Sequence, residues 1–151
     1  MKFRIAGLAL ALLASGLALP AAAQASSGGP APYSTVSSET FAASPAGATL
    51  IDVREPAEWA QTGVPAGAQQ ISISRSDFVD AVLQAVGGDK SKPVAVICRS
   101  GSRSVRAADQ LTAAGFTRVI NIGDGMIGRD SVGKGWLAAQ LPVAPVQCKT
   151  C

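Results

Sequence analysis

The chain has 151 residues, 48% of them hydrophobic and 15% charged, with 13 basic and 10 acidic side chains and no histidine. That length holds one domain with a core of its own, and the composition is too apolar for a disordered chain. The charge supplies no basic stripe for nucleic acid, and the missing histidine removes Cys-His catalytic pairs, His-containing zinc sites and c-type haem attachment.

Lys2 and Arg4 precede an apolar run from Ile5 to Leu19, which Pro20 interrupts, and Ala21 to Ala23, or Ala23-Gln24-Ala25, supplies the small residues for cleavage. This is the pattern of a cleaved secretory signal peptide over residues 1–25. The run of about 15 residues falls short of the ~20 that span a bilayer, so no stable membrane anchor is expected and the mature chain is expected in the periplasm or outside the cell. Without Lys2 and Arg4 the balance is 11 basic residues against 10 acidic ones. Residues 26–32 read as a flexible lead-in rich in Ser, Gly and Pro, residues 33–143 as the domain, and residues 144–151 as a tail ending in Cys-Lys-Thr-Cys.

Within the domain the first apolar run, Thr49 to Val53, predicts a strand, and Pro56 to Ala60 a short turn of helix. A strand over Gln70 to Ile73 comes next. Ser76 then has the chemistry of an N-cap, and Phe78, Val79, Val82, Leu83 and Val86 recur at helical spacing until Gly87 and Gly88 stop them. Val94 to Cys98 is apolar throughout, the mark of a central strand buried on both faces. Val105, Ala108 and Leu111 trace another helix, stopped by Gly115, and Arg118 to Ile122 a fourth strand. Gly123 to Gly125 predicts a turn, and Gly135 to Gln140, around Trp136, a last short helix. Strands alternating with helices give a single α/β domain with a mainly parallel sheet.

Ligands in such sheets gather at the carboxyl ends of the strands, and Cys98 stands at one. The loop after it, Arg99-Ser100-Gly101-Ser102-Arg103, is short, polar and centred on a glycine. Such a loop between a strand end and a helix start aims successive N–H groups inward, and the helix adds its own unpaired donors and the positive end of its dipole. This is a setting that favours a thiolate. Arg103 and Arg106 fall in or near the first helical turn, where the dipole disfavours cations. An anionic ligand, or the sulfur itself, would offset that cost.

These residues resemble the single-domain rhodanese (sulfurtransferase) family. The matching pieces are Leu-Ile-Asp-Val-Arg-Glu-Pro-Ala-Glu-Trp from Leu50, Val-Ile-Cys-Arg-Ser-Gly-Ser-Arg-Ser from Val96, and Val-Ile-Asn-Ile-Gly-Asp-Gly-Met-Ile-Gly from Val119, followed by Gly-Trp-Leu-Ala-Ala from Gly135. The resemblance implies a central, mainly parallel sheet of about five strands flanked by helices. It implies that Cys98 is a nucleophile that becomes a persulfide, taking sulfur from a small-molecule donor such as thiosulfate and giving it to an acceptor such as cyanide or a thiol. The N–H groups from Arg99 through Ser100, Gly101 and Ser102 to Arg103 would hold the persulfide and donor, and Arg103 would bind the donor's anionic oxygens. Asp52 and Arg54 match the family's Asp-x-Arg and read as scaffold pairing under the loop. Asp124 to Ile127 would shape donor access. The family's Gly-His-Ile-Pro-Gly-Ala is replaced by Thr-Gly-Val-Pro-Ala-Gly-Ala from Thr62, without its histidine.

Two other chemistries compete. A cysteine phosphatase or arsenate reductase wraps its oxyanion in Cys-x5-Arg, whereas Cys98 to Arg103 is Cys-x4-Arg, with Ser104 where the longer loop needs arginine. A non-enzymatic persulfide carrier would use the same loop toward a protein thiol or persulfide partner. Cys148 and Cys151 read as a local disulfide in an oxidising compartment, with metal binding through two thiolates or resolution of a Cys98 persulfide as alternatives. No cofactor or metal is expected, and the chain is expected to be a monomer.

Overall fold

The computed structural model describes residues 32–146. The expected signal peptide, all of the lead-in except Pro32, and the Cys148–Cys151 pair lie outside the described residues.

The chain opens with β1 (Ser34–Val36) and α1 (Ser38–Ala43). Ser37 caps that helix, its Oγ accepting the N–H of Thr40 at 3.2 Å. Neither element is among the sequence expectations, because both are too short to show a period. β2 (Thr49–Asp52) and α2 (Pro56–Thr62) follow. Pro56 takes the first position of α2, where a missing N–H costs nothing. Two two-residue strands come next, β3 (Val64–Pro65) and β4 (Gln69–Gln70). Then come α3 (Phe78–Ala85), β5 (Val94–Ile97), α4 (Ser102–Ala113), β6 (Val119–Ile122) and β7 (Val143–Ala144).

Three expectations are corrected. The strand expected over Gln70 to Ile73 is shorter and earlier. Ile71 and Ile73 are buried, yet their N–H groups meet the Asp52 and Val53 carbonyls at 3.2 Å, so two residues advance here against one beside β2 and the regular ladder ends. Helix α3 starts after Asp77 rather than after Ser76, and Asp77 is held by Arg75 at 2.7 Å. The segment Gly135 to Gln140 makes turns, not a helix. Positive φ at Gly135 (87°) and Gln140 (55°) brackets a single turn closed by Ala139 N–H on the Gly135 carbonyl at 2.9 Å.

Five strands form one sheet in the order β1-β6-β5-β2-β4, and every neighbouring pair is parallel. All five carboxyl ends therefore meet at one edge. β5 is central and its four residues are wholly buried, as its unbroken apolar run requires. On one face Val94 and Val96 pack with Phe78, Val82 and Val86 of the α3 segment and with Ala107, Ala108 and Leu111 of α4. On the other, Ala95 and Ile97 pack with Phe41 of α1, Met126 and Trp136. β7 pairs antiparallel with β3 in a separate ribbon, so the chain stays engaged across the expected tail boundary at 143/144.

Candidate active site

Cys98 is the first residue beyond β5, at the carboxyl edge of the sheet, and α4 begins four residues later. Between them Gly101 adopts the left-handed region, with φ 93° and ψ −21°. A Cβ there would stand 2.1 Å from the Gly123 carbonyl oxygen, so only glycine fits. This turn folds the loop back over the cysteine. The N–H of Gly101 donates to Cys98 Sγ at 3.1 Å, and the buried Ser104 hydroxyl lies 3.5 Å from the same sulfur. Ser104 meanwhile donates to the Gly101 carbonyl at 3.0 Å. Among the described residues, the N–H groups of Arg99, Ser100, Ser102, Arg103 and Ser104 meet no acceptor. They are the orphan donors of a loop and a helix start, grouped within six residues of one sulfur.

The segment after β6 forms the second wall. Met126 N–H donates to the Cys98 carbonyl at 2.9 Å and Ile127 N–H to the Arg99 carbonyl at 3.0 Å. Gly125 is required there, since a Cβ would lie 2.6 Å from both of those carbonyl oxygens. The buried carboxylate of Asp124 fastens the wall. It accepts the N–H and hydroxyl of Ser38 at 2.8 and 2.7 Å and the N–H of Gly135 at 3.0 Å.

The arginines divide into different roles. Arg54 is buried and paired with the fully buried Asp52, Nη2 to Oδ2 at 2.6 Å and Nε to Oδ1 at 2.9 Å. It also donates to Thr62 Oγ1 at 2.8 Å and the Gly63 carbonyl at 2.7 Å, tying the end of β2 to the end of α2. Arg103 makes a two-pronged ion pair with Glu58 of α2, at 2.6 and 2.7 Å. The hydrogen bond from Arg103 holds the Glu58 carboxyl below its usual range, and the same bond raises Arg103 above its own. The dipole cost expected for Arg103 is thus offset by a carboxylate of the protein rather than by a bound anion. Arg99 and Arg106 are exposed, and neither forms an ion pair among the described residues.

Cys98 itself is only 1% exposed, and it carries no disulfide among the described residues. The sulfur lies beneath the loop and belongs to the core cluster that includes Val96, Ala107 and Ala108. A cavity of about 340 Å³ lies elsewhere, at the amino-terminal edge of the sheet among Tyr33, Pro93, Arg118 and Ile120, and none of its lining residues belongs to the cysteine loop.

The structure brings Cys98 and Gly101 together and sets Arg103 beside them. It adds three residues to which the sequence had given no part at the sulfur. Glu58 gives no local sign of its pairing, which spans 45 residues of chain. Ser104 sits where the longer phosphatase loop would place arginine, and its hydroxyl against the sulfur shows that no guanidinium fills that position. Arg129 approaches Gly101 from the loop after β6, a distance in sequence that no local pattern bridges.

Residues 38–128 match the sequence profile of the rhodanese-like domain. An uncharacterized protein of Rickettsia conorii is 35% identical over 101 residues, covering 63% of this chain and 81% of that one. A sulfurtransferase of Allochromatium vinosum is 33% identical over 98 residues, covering 62% and 76% respectively. In three dimensions the chain is similar to the polysulfide-sulfur transferase homodimer of Wolinella succinogenes, with a TM-score of 0.57, 27% identity, and coverage of 80% of this chain and 85% of that one.

Proposed function

This chain belongs to the rhodanese-like domain family, and from that premise we propose that it is a sulfurtransferase working through a persulfide on Cys98. The observation that carries the reading is the Gly101 N–H on Cys98 Sγ at 3.1 Å, within a loop whose remaining N–H groups have no acceptor among the described residues. A sulfur anion, and an added outer sulfur, both find donors there.

With thiosulfate as donor, the Cys98 thiolate attacks the outer sulfur. The new S–S bond forms as the old one breaks, and sulfite leaves with the electron pair. The persulfide anion then yields its outer sulfur to cyanide as thiocyanate, or to a thiolate as a new persulfide, and the Cys98 thiolate returns. Charge balances in each step, and the protein carries the sulfur without histidine. The N–H groups that hold the attacking thiolate also suit the persulfide anion it becomes, so the transfer needs no rearrangement of the cradle. The Ser104 hydroxyl accepts from the Cys98 thiol and can turn to donate to the sulfur anion. Export by the signal peptide over residues 1–25 is part of the same proposal, and it is supported by the Lys2, Arg4 and Ile5–Leu19 pattern.

Intact-mass analysis after treatment with thiosulfate tests the reading. The protein gains about 32 Da, one sulfur, and loses it on adding cyanide. Cys98→Ser gains nothing. A wild-type protein that gains no sulfur from thiosulfate, from a polysulfide or from a persulfidated protein would overturn it.

A further inference from the structure

Arg103 is the arginine that the family resemblance assigns to the donor's anionic oxygens, yet both its terminal nitrogens are spent on Glu58. A second guanidinium stands at the loop. A Cβ built on Gly101 would lie 3.4 Å from Nη1 of Arg129, so that nitrogen rests against the glycine whose N–H holds the Cys98 sulfur. Arg129 forms no ion pair among the described residues. The residue is exposed, at the edge of the cysteine loop.

The backbone beneath Arg129 is fixed. Its N–H donates to the Gly133 carbonyl at 2.8 Å, and its carbonyl accepts the Gly133 N–H at 2.9 Å, closing a tight turn. Upstream, Met126 and Ile127 are bonded to the cysteine loop, and Gly128 N–H donates to the Asp124 carbonyl at 3.0 Å. Downstream, the Asp124 carboxylate holds Gly135. Arg129 is therefore presented to the loop by a segment anchored on both sides, not by a free coil.

We propose that Arg129 determines donor specificity by receiving the anionic oxygens of the sulfur donor while its outer sulfur enters the N–H cradle toward Cys98. This rests on the sulfur-transfer reading and narrows it to donors whose outer sulfur is carried on an oxyanion, the class of thiosulfate. The planar guanidinium fork matches two oxygens of such a group, which a lysine ammonium does not. The proposal makes Arg129 a donor-binding group and leaves the bond making and breaking at Cys98 unchanged.

Steady-state kinetics with thiosulfate and cyanide separate the roles. Arg129→Gln raises the KM for thiosulfate about tenfold, leaves kcat within about twofold and flattens the dependence of KM on ionic strength. Arg129→Lys restores part of the loss. The exposed position makes both variants fold like the wild type, which their circular dichroism and unfolding midpoints verify. An unchanged KM in Arg129→Gln overturns the proposal while Cys98 loading in the wild type leaves the sulfur-transfer reading standing. A fall in kcat at constant KM also overturns it, because Arg129 would then act on the sulfur and not on the donor. A wild-type protein that loads from polysulfide but not from thiosulfate overturns the oxyanion assignment, and one that gains no sulfur from any donor overturns both readings.

Discussion

Arg103 and Glu58 meet in a parallel two-pronged ion pair, Nη1 to Oε2 at 2.6 Å and Nη2 to Oε1 at 2.7 Å, which ties the first turn of α4 to the first turn of α2. Glu58 also accepts the N–H of Glu55 at 3.1 Å, so one carboxylate caps α2 and anchors the cysteine loop. Both side chains are about a quarter exposed (26% and 22%), and water screens the pair. Because Glu58 is held below its usual carboxylate range, its contribution is complete above the unfolded value, near pH 4.3, and is lost as pH falls through the lower, folded value. Glu58→Gln therefore costs about 0.5–1 kcal/mol at neutral pH and shows a weaker loss of stability on acidification than the wild type. Urea unfolding between pH 7 and pH 3 measures both.

The Asp52–Arg54 pair behaves differently because it is buried. Removing one partner strands the other charge away from water, which costs about 3–5 kcal/mol. Arg54→Met keeps the apolar stem but loses the pairing and the bonds to Thr62 and Gly63. Its unfolding midpoint in urea falls accordingly, whereas Arg75→Met, which breaks the exposed pair with Asp77, changes stability by less than about 0.5 kcal/mol.

Gly101→Ala tests the cradle. The added methyl meets the Gly123 carbonyl and is strained at a φ of 93°, a backbone cost of about 1–3 kcal/mol. Sulfur loading of Cys98 falls at least about a hundredfold, equivalent to some 2.7 kcal/mol of barrier, while circular dichroism retains the α/β signal. Normal loading by this variant would show that the Gly101 N–H is dispensable.

Ser104→Ala removes the side-chain hydroxyl that, among the described residues, bonds to the sulfur, with little change of volume. Loading slows about tenfold, near 1.4 kcal/mol, and the fold survives, since among the described residues the deleted group bonds only to the Gly101 carbonyl and the cysteine. Single-turnover release of sulfite measures the rate.

Replacing Cys148 and Cys151 together by serine leaves cyanide-dependent turnover within about twofold. A tenfold fall, near 1.4 kcal/mol, would assign the tail a part in discharging Cys98.

Much of the fold was legible where one chain segment carries its own signal. Val94 to Ile97 declares a doubly buried strand because every residue is apolar. Val105, Ala108 and Leu111 declare a helix by their spacing, and the glycine between strand and helix marks the tight loop. Segments such as β1, β3, β7 and Gly135 to Gln140 are too short to show a period, so their conformation depends on the partner strand or on bracketing positive-φ residues.

By itself, the sequence determined a parallel α/β domain with Cys98 at a strand end, because hydrophobic periodicity and helix punctuation are local and act on neighbours in the chain. Only the tertiary structure decided which charges meet. Glu58 stands 45 residues before Arg103, and Arg129 reaches Gly101 from a different wall of the site. Which guanidinium is neutralised and which faces the cysteine loop follows from how α2, α4 and the segment after β6 converge at one edge of the sheet.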